Sequence, residues 1–308
     1  MILCCGEALI DMIPSTTQSG QAAFVPHVGG AVFNTAIALG RLERQAGLLS
    51  GVSNDLMGRK LQDALGSSNV DAQYLIRSDR PTTLAFVELQ NGHAKYAFYD
   101  ENTAGRMITD QDLPAIGSDI HALFFGGISL ACEPCADTYA SFLEQHGQER
   151  AVVMDPNIRP GFVPDEARYR ARLKAMLAQA DMVKVSDEDL AWIMPEHLTL
   201  QEQAAALQAC GPAIVLVTRG EKGAIGLLAN GEQVEVAAER AEVVDTVGAG
   251  DTFNAGVMAR LDEFGLMQKG ALRNLDADNL MQALSWGAKV AAITVSRAGA
   301  NPPWLHEL

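Results

Sequence analysis

The sequence is poor in the features that would mark a secreted, membrane-bound or nucleic-acid-binding chain. It has five cysteines, Cys4, Cys5, Cys132, Cys135 and Cys210. An odd set cannot pair completely, and a chain of 308 residues is too large to need a disulfide framework. Cys132-Glu133-Pro134-Cys135 has the spacing of a redox or zinc half-site, but no second pair completes it, so these read as incidental thiols. The opening residues, Met1-Ile2-Leu3-Cys4-Cys5, carry no basic region, and their apolar run is too short for a secretory signal. No window reaches the roughly 18 uninterrupted apolar residues of a membrane span. Positive charge is scarce as well: 23 Lys and Arg face 38 Asp and Glu, for a net charge of -15. That balance argues against nucleic acid or a membrane surface as a partner, while a local field can still hold a small anion. A soluble, cytoplasmic protein is expected.

The common nucleotide motifs are missing too. There is no G-x-x-x-x-G-K-[ST], and indeed no Gly-Lys dipeptide, which excludes a Walker A site. There is no G-x-G-x-x-G either. Gly248-Ala249-Gly250 is followed by Phe253 where the third glycine would stand, which disfavours a dinucleotide-binding oxidoreductase. Repeats, low-complexity tracts and linker-like charge runs are also absent.

What is present is a chain 48% hydrophobic and 20% charged, well able to bury a core. Short apolar runs at Ile2–Cys5, Ala122–Phe125, Ala151–Met154, Met182–Val185 and Ala213–Val217 read as buried parallel strands. Helical patterns alternate with them, at Ala31–Leu42, Leu56–Leu65, Cys135–Gln145, Ala167–Gln179 and Leu200–Ala209. This alternation predicts an α/β domain, a parallel sheet covered on both faces. Two segments break the rhythm, Ala8–Pro26 and Thr82–Tyr99, the second with an Asn91-Gly92 hairpin signal. They are expected to pair into a small sheet over one end of the domain, a lid or a structural flap.

The densest chemistry lies in "VVDTVGAGDTFNAG", Val243–Gly256. Val243-Val244 reads as a strand end and Phe253–Leu261 as a helix with a small-residue face. Gly248-Ala249-Gly250 therefore falls where backbone N–H groups lack intrahelical partners, a setting suited to a phosphoryl group. Asp251 stands in the first turn, where a carboxylate would repel bound phosphate. It makes sense as a general base facing an attacking hydroxyl, or as a plain helix cap. The helix dipole is expected to keep it ionised, hence a weak base. Near the N-terminus, "GEALIDMIP" places Glu7 and Asp11 after the first strand, and "GGAVFNTAIALGRL" sets Gly29-Gly30 before a helix bearing Asn34. Asp and Asn offer the acceptors and donors that sugar hydroxyls need. A glycine turn with a helix cap is the other reading.

Together, "DTVGAGDTFNAG" and "GGAVFNTAIALGRL" resemble the two signatures of the ribokinase-like (PfkB) carbohydrate kinases. "DPNIRP" (Asp155–Pro160), "VKVSDEDL" (Val183–Leu190) and "VTRGEKGA" (Val217–Ala224) follow in the family's order, so the resemblance covers nearly the whole chain. It implies a three-layer sandwich with a mostly parallel central sheet, a single domain over residues 1–308, and a β-sheet lid from about 8–26 and 79–103. It implies ATP and Mg²⁺ as cofactors, with K⁺ as a further candidate, and a monosaccharide and ATP as the small-molecule partners. A homodimer through the lid is expected. By position, Asp251 would be the base and Gly248, Ala249 and Gly250 the anion hole. Asp11, Gly29, Gly30 and Asn34 would bind the sugar, with Phe98, Tyr99 and Arg159 beside it. Ser186, Thr218, Arg219, Gly220, Gly223 and Ala288 would line the nucleotide. Ser186 and Asp189 take the places of an N-x-x-E pattern, so Asp189 would reach Mg²⁺ through water. Asp245 and Val247, with the strand-like "ITVSRAGA", resemble a monovalent-cation site.

The lid and "DPNIRP" look most similar to bacterial fructokinases, with 2-keto-3-deoxygluconate kinases next and ribose or nucleoside kinases after them. Asp100, following Phe98-Tyr99, is expected to repel an acid sugar. A sugar or nucleotide sensor without turnover is the alternative of a different class, disfavoured by the intact Asp251.

Overall fold

Alternating side chains on the first strand, Ile2–Cys5, decide the architecture. Ile2 and Cys4 enter one hydrophobic cluster, Leu3 and Cys5 another, so both faces of the strand are covered. In the computed structural model, which describes residues 1–90, 93–195 and 197–308, that strand lies inside a nine-stranded sheet. The order across it is Gln233–Val236, Ala224–Leu227, Ile214–Thr218, Met182–Ser186, Ala151–Asp155, Ala122–Gly126, Ile2–Cys5, Ala46–Leu49 and Val70–Asp71. All neighbours pair in parallel except at one edge, where Ala224–Leu227 and Gln233–Val236 run antiparallel. Helices Ala31–Arg41, Ala249–Glu263 and Ala277–Val295 cover one face; Cys135–His146, Glu166–Leu177 and Leu200–Gln208 cover the other. All five expected strands and five expected helices form, with ends shifted by a few residues.

The two irregular segments form a separate four-stranded sheet in the order Ala22–Gly29, Leu9–Thr16, Leu84–Gln90, His93–Tyr99. The first hairpin runs on to Gly29, beyond the expected end at Pro26, because Leu9 still pairs with Gly29. The Asn91-Gly92 turn lies outside the described residues.

Two local expectations fail. Val243 and Val244 are exposed and form no strand; the Val244 and Asp245 N–H groups both donate to the Val295 carbonyl. The "strand-like" Ile293-Thr294-Val295 is instead the last turn of helix Ala277–Val295. Tertiary packing overrides its β-branched composition: a Cβ on Gly256 would lie 2.7 Å from Gly287 Cα, so the two C-terminal helices touch backbone to backbone. That contact seats helix Ala249–Glu263, which carries Asp251 in its first turn, against helix Ala277–Val295. Among the described residues, no helix is long and apolar enough to cross a membrane.

Candidate active site

Three neighbouring strands end on chemistry: Ala151–Asp155 on Asp155, Met182–Ser186 on Ser186, Ile214–Thr218 on Thr218. Outside the carboxyl ends of such a sheet lies the natural crevice of an α/β fold, and here it is a cavity of about 860 Å³. Its lining brings together Asp11, Gly30, Asn34, Phe98 and Arg159 on the small-sheet side, with Gly248, Ala249, Gly250 and Asp251 at its floor. Ser186, Asp189, Thr218, Gly220, Gly223, Val247 and Ala288 line the remainder.

Gly248 caps helix Ala249–Glu263 in the left-handed region, at φ 77°, which a side chain would strain. The Ala249 N–H is taken by the Thr246 carbonyl at 3.3 Å, so Ala249 does not contribute an open amide. The turn that presents the helix end consumes it. Among the described residues, the Gly248, Gly250 and Asp251 N–H groups have no hydrogen-bond partner and form the open donor set.

Asp251 is buried. Asn34 Nδ2 donates to its Oδ2 at 2.9 Å, and Asn157 Nδ2 reaches its Oδ1 at 3.4 Å. Burial pushes its carboxyl up to about 7; the Asn34 hydrogen bond and the Lys184 charge pull it down, while Asp155 and Glu7 push it up. The expectation of a weak, dipole-stabilised base therefore fails: desolvation outweighs the dipole. A carboxylate poised near neutrality is a better proton acceptor at neutral pH.

Lys184 was not singled out by sequence, although it opens "KVSDED". It is 4% exposed, and its Nζ donates to Asp155 Oδ2 at 2.9 Å. A Cβ on Gly250 would come within 2.9 Å of that Nζ, so Gly250 is small to admit the ammonium. Asn254 Nδ2 also donates to Asp155 Oδ2, at 2.6 Å. The other oxygen, Asp155 Oδ1, is buried with no hydrogen-bond partner among the described residues. Asp189 Oδ1 accepts the Ile158 N–H at 3.1 Å. An orphaned carboxylate oxygen beside a second carboxylate fits a hydrated divalent cation. Ser186 lines the cavity but spends its hydroxyl as a helix cap, accepting the Asp189 N–H at 3.0 Å.

On the small-sheet side, Gly29 does not line the cavity. A Cβ there would fall 2.1 Å from Asp11 Oδ2, so its absent side chain makes room for Asp11. Burial raises Asp11 to about 6, and its carboxylate has no hydrogen-bond partner among the described residues, as suits a group awaiting hydroxyl donors. Gly30, at φ 106°, starts helix Ala31–Arg41, whose Ala31 N–H donates to Glu7 Oε1 at 3.0 Å.

Three further expectations are corrected. Phe98 and Tyr99 cannot both face the cavity, because neighbours on a strand point to opposite sides. Phe98 lines the cavity against Phe162, whereas Tyr99 is 64% exposed and stacks edge-on with Phe86. Arg219 turns away, its guanidinium donating to Glu235 and to the Lys222 carbonyl. Asp100 faces inward, where Thr83 and Thr103 hydroxyls donate to its Oδ1 at 2.7 and 3.1 Å and Arg106 lies 3.7 Å from Oδ2. It is not in the cavity wall and exerts no direct repulsion on a sugar. Asp245 also lies off the wall. Its Oδ1 accepts the Val247 N–H at 3.0 Å and its Oδ2 the Gly299 N–H at 2.9 Å, stapling the loop to the C-terminal segment. Each oxygen keeps a second lone pair, so the staple is compatible with cation ligation.

A family model described as pfkB family carbohydrate kinase matches residues 1–307. A fructokinase of Rhizobium leguminosarum bv. trifolii is 49% identical over 282 residues, covering 91% of this chain and 85% of the relative. A fructokinase of Salmonella typhimurium is 30% identical over 266 residues, covering 85% and 84%. Among solved structures, fructokinase with bound ATP from Xylella fastidiosa superposes with a TM-score of 0.89 at 27% identity, covering 97% of this chain and 93% of its own. A fructokinase double mutant from Vibrio cholerae O395, in its fructose-, ADP- and potassium-bound form, gives 0.83 at 25% identity, with coverages of 97% and 93%. With a family match over nearly its full length and a relative 49% identical, the chain belongs to the pfkB family of carbohydrate kinases.

Proposed function

We propose that the protein is an ATP-dependent fructokinase that transfers the γ-phosphoryl group to a terminal hydroxyl of fructose. The observation that carries the mechanism is the position of Asp251: a raised, buried carboxylate at the end of a helix whose free amides face the same cavity. Fructose as the substrate rests on the 49% identical fructokinase relative and on the fructose-bound Vibrio cholerae neighbour.

Asp11, Asn34 and the Gly30 backbone orient the sugar so that its terminal hydroxyl meets Asp251. Asp251 accepts the hydroxyl proton as the new O–P bond forms and the bond from phosphorus to the bridging oxygen of ADP breaks. Charge on the moving phosphoryl group meets the Gly248, Gly250 and Asp251 amides and the Lys184 ammonium, which Asp155 holds in place. Positioning and preorganised charge are the main levers in this chemistry. Thr218, Gly220, Gly223 and Ala288 would border the nucleotide, with Ala291 and Ala292 on the same helix. Asp189, with the orphaned oxygen of Asp155, would hold Mg²⁺, which supplies charge neutralisation to the phosphates. Asp245 and the Val247 backbone would hold K⁺.

The small sheet would close over the sugar as a lid. Its outer face carries exposed Phe24 and Tyr99 packed edge-on about Phe86, the surface proposed for pairing with a second copy; sedimentation of the pure protein tests this. A cytoplasmic location agrees with the Mg-ATP requirement. Incubating the enzyme with Mg-ATP and fructose and locating the phosphate on the product by ³¹P and ¹³C NMR tests the reaction. Phosphorylation at a terminal carbon supports the reading, and unreacted fructose under saturating ATP refutes it.

A further inference from the structure

One short segment touches Lys184, Asp251, Asp189 and Phe98 of the proposed reaction centre. It leaves the sheet at Asp155, which holds Lys184. Asn157 follows in the left-handed region at φ 44°, a conformation asparagine adopts more readily than most residues with a side chain, and its amide faces Asp251. The Ile158 N–H donates to Asp189. The segment then closes in the turn Pro160–Phe162, where the Phe162 N–H donates to the Arg159 carbonyl at 2.8 Å. The Phe162 ring meets the Phe98 ring edge-on, with centroids 4.1 Å apart.

Phe162 packs against two hydrophobic clusters. One is the large cluster under the central sheet, and the other is the small cluster of Leu9, Ala85 and Ile128, which seats the small sheet on the body. It is thus an apolar bridge from the small sheet to the segment whose Asn157 reaches the base. The Asn157–Asp251 contact, at 3.4 Å, lies at the long end of hydrogen-bonding range and has room to tighten.

We propose that Phe162 is a positioning residue: it transmits the seating of the small sheet, through the 157–162 segment, to Asn157 and so to Asp251. This rests on the reading of Asp251 as base. Sugar binding against Phe98 would press the bridge, shorten the Asn157 contact and complete the base only when substrate is enclosed. Small displacements of a catalytic group cost up to about 100-fold in rate, so a modest effect at this contact is measurable.

The test is a double-mutant cycle of Phe162→Ala and Asn157→Ala, assayed for kcat with fructose and Mg-ATP across pH. Wild-type turnover is measured first, so that failure of the kinase reading shows before the cycle begins. Each single variant is expected to lower kcat about tenfold and to move the acid limb of the profile to higher pH, as a donor to Asp251 weakens. The double variant is expected to fall no further than Asn157→Ala alone, with the KM for ATP changed less than about twofold. Phe162→Leu, which keeps an apolar bridge, is expected to recover part of kcat and to serve in the cycle if Phe162→Ala is unfolded. Multiplicative losses would overturn the proposal, as would a Phe162 variant that raised only the KM for fructose and left kcat and the pH profile unchanged.

Discussion

Asn34 Nδ2 donates to Asp251 Oδ2 at 2.9 Å, joining two helices 217 residues apart in sequence. One helix begins after Gly29-Gly30, and the other begins at the Gly248 turn. The bond stabilises the charged form of Asp251 against burial, which pushes the other way. Asn34→Ala should therefore raise the Asp251 carboxyl further above its present value. The expected outcome is an acid limb of kcat/KM displaced to higher pH, together with a raised KM for sugar. An unmoved limb would show that the bond does not tune the base.

Asp251→Asn should cut kcat by about 10²- to 10⁴-fold with little change in ATP binding. Wild-type activity should rise with pH through about 7, because the base must lose its proton to work. Stability should move the opposite way. Between about 3.8 and 7 the folded protein keeps a proton on Asp251 that the unfolded chain has released. The contribution of this group is therefore full below the lower value and is lost as pH rises through the upper one. At pH 8 the neutral variant should be more stable than wild type by at most roughly 4 kcal/mol, and the gap should vanish near pH 4. Denaturant melts of both proteins across this range check the sign.

Lys184→Met should lower kcat by about 10²-fold or more, since it removes charge placed beside the phosphoryl site. It also strands Asp155, so Lys184→Met with Asp155→Asn is the cleaner comparison. Recovered stability without recovered turnover is the expected result for the pair. Gly250→Ala should give a similar loss, because the added Cβ would meet Lys184 Nζ at 2.9 Å. Both variants should leave the KM for fructose within a factor of about 3, on the premise that their loss is confined to the transition state.

Asp100→Ala should act on stability rather than on sugar choice. Two threonine hydroxyls and Arg106 lose their common partner, at a cost of about 1 to 3 kcal/mol. A lowered melting temperature with the ratio of activities on fructose and 2-keto-3-deoxygluconate unchanged is expected. A gain on the acid sugar would restore the direct-repulsion idea.

Much of this was legible in the sequence because it is local. Apolar runs of four or five residues announced the parallel strands, and the Gly-Ala-Gly knuckle before Asp251 announced a helix end with free amides. The contributions of Lys184, Asn157 and Phe162 were not legible, since they depend on which strand ends are neighbours. Lys184 reads as one polar residue within a buried strand until Asp155 and Gly250 are placed against it. That buried lysine was the signal available in "VKVSDEDL". Strand alternation alone could have separated Phe98 from Tyr99. The raised carboxyl of Asp251 could not have been read locally, because helix dipole and burial oppose each other and only the enclosed cavity decides between them.

The most direct measurement is steady-state ADP release with saturating Mg-ATP, comparing kcat/KM for fructose, ribose, a nucleoside and 2-keto-3-deoxygluconate. Fructose should lead the others by at least about tenfold, a difference worth 1.4 kcal/mol at the transition state. Preference for the keto acid, or ADP release that no sugar stimulates, would contradict the assignment.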